Sequence, residues 1–452
     1  MSHNKFIFSK YEYEKNILKL HYSVDNEFEF VEIINFNPNN LDLRSLTTEE
    51  QKALELAFKY LHIMAGISYY KLFLPKNIEI NTVTLNKDQA DFFNKFYFNG
   101  LGEFSFKNNI DLRDKINFPY KDNQKNQNIN INLDDNLIVP IGGGKDSVVS
   151  LEILKQLKST KLYTFSVNTA QPISECCKLS DCENILVTRQ ISPQLIEINK
   201  NLSKYSAYNG HVPITAIIAF ISVCTGIIYN CNTTVISNEK SANIGNTMHN
   251  GVMVNHQWSK SFEAESAIHN FIKNYITPSF NYFSLLRPIY EIQIANLFSK
   301  IKKYDDVFSS CNKNFKIVKD KQYNKWCCEC DKCRFVFLIL SAFIKKDRLI
   351  KIFGNNLFNN ENNYTGYQEL VGLCNYKPFE CVGEVNESIL AFYLLKDSEY
   401  KDDIIVKKIL NEIMLKYSIN ELEEIKNKYL GCDFNESILE NKYKEILQKS
   451  LS

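Results

Sequence analysis

The run Val139-Pro140-Ile141-Gly142-Gly143-Gly144-Lys145-Asp146-Ser147 combines the residue types needed to grip a polyphosphate. Three successive residues without Cβ let the backbone adopt positive φ and bring its N–H groups onto an anion. An apolar stretch precedes them and an apolar-faced one, Ser147 to Leu154, follows, so they sit at a strand-to-helix turn. The positive end of the helix dipole then faces the same anion. Ser147 can donate its hydroxyl to a phosphate oxygen. Asp146 is a hard carboxylate suited to magnesium. A Walker loop is excluded because Asp146, rather than Ser or Thr, follows Lys145, and the dinucleotide fingerprint is excluded because its third glycine is absent.

Cysteines form the second constellation. Cys327, Cys330 and Cys333 are spaced by two residues, with Cys328 an alternative first ligand and Cys311 available as a fourth. Four thiolates suit structural zinc, although such cysteines can equally be reduced thiols at a helix start. Two polar runs follow strands or precede helices. The first contains Asn209 and His211. The second contains Asn238, Glu239, Ser241 and Asn243 and continues to Asn255, His256, Ser259 and Lys260. Polar groups packed between buried elements cost solvation unless a polar ligand meets them, so these runs are expected to line a substrate pocket. His256 and Lys260 would share one face if that segment were helical.

The elements that must position these groups alternate along the chain. Residues 136–141, 162–168, 185–189 and 233–238 read as strands, with helices at about 147–158 and 212–229 between them. This pattern predicts a doubly wound parallel α/β sheet over 134–345, its ligands at the carboxyl ends of the strands. Residues 1–120 predict an N-terminal α+β domain, with a meander over 5–36 and a helix opened by Thr47 and Glu50; 121–133 reads as a linker and 346–452 as a helical region. The uncharged stretch from Val212 to Tyr229 is read as a buried helix rather than a membrane span. Net charge is only +1 and no basic run occurs, which disfavours nucleic acid. The N-terminus lacks a signal-like apolar region, so a cytoplasmic location is expected, with the 13 cysteines reduced or ligating metal.

The glycine loop resembles the Ser-Gly-Gly-x-Asp-Ser loop of PP-loop ATP pyrophosphatases, with Gly142 in place of the first serine. Taken in order, the runs 142–147, 209–213, 237–242, 254–257, 259–263 and 377–383 resemble the UDP-N-acetylmuramoyl-L-alanyl-L-glutamate epimerase family, of the MurL type. That resemblance implies an ATP- and magnesium-dependent enzyme that adenylates the terminal glutamate of a UDP-sugar dipeptide, inverts its α-carbon and releases AMP and diphosphate. It further implies that residues 142–147 hold the β and γ phosphates, that Lys145 offsets charge on the leaving group and that Asn168 lies near the adenosine. Glu239, His256 and Lys260 become candidates for substrate binding or proton transfer. One rival is a PP-loop enzyme acting on a nucleobase or tRNA, for which Cys176, Cys177 and Cys182 are available; another is an ATP-binding module without catalysis.

Overall fold

The structure, a computed structural model, describes residues 3–124, 128–315, 325–374 and 378–452. Part of the predicted linker, residues 125–127, and Lys377 of the 377–383 run lie outside the described residues.

Eleven strands occur among the described residues: β1 (Lys5–Glu14), β2 (Ile17–Val24), β3 (Phe28–Asn35), β4 (Asn77–Ile80), β5 (Leu137–Pro140), β6 (Leu162–Val167), β7 (Glu183–Gln190), β8 (Thr233–Ile236), β9 (Thr247–His249), β10 (Val252–Val254) and β11 (Asn281–Ser284). Nine of them form one sheet in the order β11-β8-β5-β6-β7-β3-β2-β1-β4, while β9 and β10 make a separate hairpin. The five strands from β11 to β7 run parallel. Strand order reverses at β5: β6 and β7 lie to one side of it, β8 and β11 to the other. The crevice beyond the carboxyl end of such a strand is where open α/β sheets bind ligands, and the glycine loop leaves β5 there.

The meander β1–β3 continues the same sheet, because β3 pairs antiparallel with β7 through Ile33–Gln190 and Asn35–Thr188. Positive φ at Asp25 and Asn26 makes the tight β2–β3 turn, which short polar side chains tolerate best.

Alternation along each strand feeds two cores. Ile138 on β5 packs on one face with the helices Thr48–Tyr70 and Ile214–Ile228, while Leu137 and Val139 pack on the other with Lys145–Leu154, Glu291–Ser299 and Asp331–Ser341. Thr47 and Glu50 form the capping box that starts the first of these helices, as the sequence predicts. The apolar stretch near 212–229 becomes the 15-residue helix Ile214–Ile228, buried against the sheet; among the described residues no helix is long and apolar enough to cross a membrane. Beyond residue 346 the chain is helical, and its helices join the second core.

Candidate active site

The loop after β5 has the geometry its glycines allow. Gly143 lies at φ +79°, and a Cβ there would stand 3.0 Å from Pro172 Cβ and 3.1 Å from the Ile173 nitrogen. Gly144 caps the helix Lys145–Leu154 with no side chain over the first-turn N–H groups, and nothing lies within 4 Å of a Cβ built on Gly142. The helix end is therefore open to an anion.

Lys145 is buried and pairs with Asp146 beside it and with Glu291, the first residue of the helix Glu291–Ser299. Burial alone would depress its ammonium, but the two carboxylates outweigh burial and hold it above the ordinary lysine value. Burial likewise penalises the Glu291 carboxylate, yet Lys145 and Lys332 keep it below the usual range. Lys332, on the helix Asp331–Ser341, stands 3.6 Å from Glu291 and donates to the Cys381 carbonyl.

Cys381 is the meeting point of a second set of charges. Lys260 Nζ lies 3.1 Å from its sulfur and His256 Nε2 lies 3.8 Å away. The other face of His256 is held by Glu103, with Nδ1 to Oε2 at 2.5 Å, and His211 approaches the same oxygen at 3.4 Å. Burial raises the Cys381 thiol, but Lys260, His256 and Lys332 outweigh it and bring the thiol down to about 5. His256, despite burial, is lifted to about 9 by Cys381 and Glu103, whereas burial and His256 push His211 down to about 4. Glu239 is raised to about 7 by burial and by the Glu291 and Asp146 carboxylates.

Arg287 braces this arrangement from below. It is fully buried, pairs with Glu265 at 2.7 Å, and donates to the carbonyls of Glu239 at 2.6 Å and Lys260 at 2.5 Å. Two segments carrying chemistry are thus tied to one rigid guanidinium fork.

A cavity of about 360 Å³ joins the two halves, within the range that holds small ligands. Gly142, Gly144, Asp146 and Ser147 belong to its lining, together with Lys260, Lys332, Cys381, Ser237, Asn238 and Ser310. Ser237 Oγ, Asn238 Nδ2 and Ser310 Oγ are buried there without a protein partner. Unpaired buried polar atoms cost about 1–3 kcal/mol each, a cost that a bound polar ligand would remove.

The predicted residues divide. Gly142, Gly144, Asp146, Ser147, Asn238 and Lys260 line the cavity, with Lys145 and Glu239 buried in its charge network. His256 and His211 meet at Glu103, His256 touching the Cys381 sulfur. His256 and Lys260 converge on Cys381 although the segment is not an α-helix: it is a turn followed by the short 3-10 helix Trp258–Lys260. The other polar predictions serve the framework. Asn209 accepts from Lys71, Asn243 from the Phe262 N–H and Asn255 from the Gln257 N–H. Ser241 and Ser259 are buried outside the lining. Asn168 is exposed, and its amide is spent on both backbone groups of Arg189. Cys381, Glu103, Glu291, Lys332 and Arg287 join the site unannounced by the sequence patterns above. Cys381 lies in the 377–383 run; the other four carry no local signal.

Cys311, Cys327, Cys330 and Cys333 come together, their sulfurs within 4.8 Å of one another. The pairs Cys327–Cys333 and Cys330–Cys333 stand 3.7 and 3.4 Å apart, against about 3.8 Å for a zinc tetrahedron with 2.3 Å bonds. Cys328 points elsewhere, toward the Phe353 carbonyl. Cys176 and Cys177, the candidates for sulfur transfer, are buried thiols that burial pushes up to about 12 and 11, far from thiolates at neutral pH.

Residues 1–285 match the MurL N-terminal domain and residues 307–423 the MurL C-terminal domain. The chain is 36% identical over 372 residues to a protein of Xanthomonas oryzae pv. oryzae named UDP-N-acetyl-alpha-D-muramoyl-L-alanyl-L-glutamate epimerase, covering 82% of this chain and 81% of that one. Proteins of the same name from Micromonospora sp. and Salinispora tropica are 35% and 34% identical, each over 86% of this chain and 85% and 83% of their own lengths. No solved structure matches.

Proposed function

Since the chain belongs to the MurL family, we propose that it is an AMP-forming epimerase of PP-loop type that inverts the terminal L-glutamate of UDP-MurNAc-L-Ala-L-Glu. The observation that carries this reading is one cavity lined both by a glycine-rich loop at a helix N-terminus and by the side chains of Lys260, Lys332 and Cys381. The α-proton of a free carboxylate is hard to remove, because charge would accumulate on an already anionic group. ATP, as a substrate, supplies activation: the carboxylate displaces diphosphate from the α-phosphorus to give an acyl–AMP mixed anhydride whose carbonyl no longer carries charge.

The protein's own residues divide the work by position. Backbone N–H groups of 142–147 and the hydroxyl of Ser147 hold the leaving diphosphate, and Asp146 supplies the carboxylate for magnesium. Lys145, kept charged between Asp146 and Glu291, offsets negative charge on the leaving group. Asn238, Ser237 and Ser310 offer unpaired polar atoms to the bound molecule. Lys260 and Lys332 give the cavity wall the positive character that an acidic substrate needs. Cys311, Cys327, Cys330 and Cys333 hold a structural zinc that fixes the start of the helix bearing Lys332.

The test is incubation with ATP, magnesium and UDP-MurNAc-L-Ala-L-Glu, followed by nucleotide analysis and glutamate chirality. AMP, diphosphate and D-glutamate are expected. ADP in place of AMP would remove the PP-loop reading, and AMP without inversion would remove the substrate.

A further inference from the structure

We infer that the thiolate of Cys381 is the base that takes the α-proton from the activated glutamyl residue. The inference rests on the adenylating epimerase reading above and names a base that this reading leaves open.

Geometry supplies the argument. The sulfur of Cys381 borders the same cavity as the glycine loop. The Lys260 ammonium stands 3.1 Å from it and the His256 imidazole 3.8 Å, while Lys332 fixes its position by donating to its own carbonyl. Lys260, His256 and Lys332 act on this thiol as cations, and Glu380 acts on it with opposite sign. Lys260, His256 and Lys332 together outweigh burial and stabilise sulfur as the anion, even though Glu103, Glu291 and Glu239 face those same cations, and the thiol's descent to about 5 leaves it ionised at neutral pH. Glu103 supports the cationic His256 from its other side. Asn238, only 7% exposed, aims an unpaired Nδ2 at the same space, an independent sign that a ligand occupies it. A thiolate held ready in a ligand cavity, with no disulfide partner, has proton abstraction as its most direct use.

The step balances without a further reagent. The thiolate's electron pair forms S–H as the Cα–H bond breaks, and the carbon's pair moves into the Cα–C bond and onto the acyl oxygen. A solvent-derived proton then returns to the opposite face of Cα. Cys381 gives its proton back to solvent, and water splits the mixed anhydride to the carboxylate and AMP.

The experiment uses the full-length enzyme and its Cys381→Ser and Cys381→Ala variants with ATP, magnesium and UDP-MurNAc-L-Ala-L-Glu in D2O. Diphosphate release within about tenfold of the unsubstituted enzyme is expected, with loss of D-glutamate and of α-deuterium by about 10²–10⁴-fold. Inversion at near-unsubstituted rates would overturn the inference. So would α-deuterium in recovered L-substrate from the variants, or a thioester on Cys381 trapped by mass spectrometry. If the unsubstituted enzyme releases no diphosphate, the adenylation reading falls and this role with it, an outcome distinct from loss of inversion alone. Mapping of iodoacetamide labelling in the folded enzyme provides a readout independent of turnover. Half-maximal labelling of Cys381 near pH 5 supports the inference, and a midpoint above pH 8 overturns it.

Discussion

Lys260 Nζ stands 3.1 Å from the sulfur of Cys381, across 121 residues of sequence. Burial works against both members of this pair, and each offsets it for the other: the cation lowers the thiol, and the thiolate helps to hold the lysine above its ordinary value. Replacing Lys260 with Met should therefore raise the Cys381 thiol toward its usual range. Labelling of Cys381 by iodoacetamide at pH 6 should slow by about tenfold or more, and epimerisation should fall by about 10²-fold or more. Unchanged labelling would show that His256 and Lys332 suffice.

Gly143→Ala tests the anion loop. Its φ of +79° and the 3.0 Å approach to Pro172 leave no room for a methyl group. A cost of about 1–3 kcal/mol in stability is expected, with loss of ATP binding in calorimetry. Asp146→Asn should leave the melting temperature near that of the parent while cutting diphosphate release by about 10²-fold or more.

The four clustered cysteines predict one zinc per chain by elemental analysis. Cys333→Ser should abolish stoichiometric binding and lower the melting temperature, because the sulfur is fully buried and adjoins Lys332 in sequence. A strong chelator should destabilise the parent and leave this variant unaffected. A metal-free parent with an unchanged melting curve would remove the zinc proposal.

Arg287→Met should cost about 3–5 kcal/mol in denaturant unfolding, since Glu265 would be left buried and unpaired. The double variant with Glu265→Leu should recover much of that stability. Activity should stay low in both, because the carbonyls of Glu239 and Lys260 lose the donor that positions them.

Glu387 gives a pH dependence with a definite sign. Burial raises its carboxyl to about 8, with the Glu291 carboxylate adding to the rise, despite the hydrogen bond it accepts from the Glu384 N–H. Between the ordinary value of 4.5 and about 8, the folded state keeps a proton that the unfolded chain has lost, so this group makes stability fall as pH rises through that window. Glu387→Gln should flatten this slope in urea melts. Its baseline should drop by about 1–3 kcal/mol, because both carboxyl oxygens accept backbone N–H groups, from Ile292 and Glu384, and an amide nitrogen cannot.

Local chemistry was legible where the chain neighbours that act together are also neighbours in sequence. The strand, glycine turn and helix at 137–154, the capping box of Thr47 and Glu50, and the two-residue spacing of Cys327, Cys330 and Cys333 all follow from the residues themselves. Alternating strand and helix periods likewise predicted the parallel part of the sheet, because side-chain burial enforces those periods. What the cavity does was decided by tertiary packing. Glu291 reaches Lys145 across 146 residues and Glu103 reaches His256 across 153, contacts no local pattern encodes. Asn209, Asn243 and Asn255 look like ligand-binding residues in sequence yet satisfy the backbone and lysine groups around them, since a polar side chain serves framework and ligand equally well. Only when strand order and helix docking bring distant charges into one low-dielectric space do Cys381 and Lys260 acquire ionisation states that neither residue has alone.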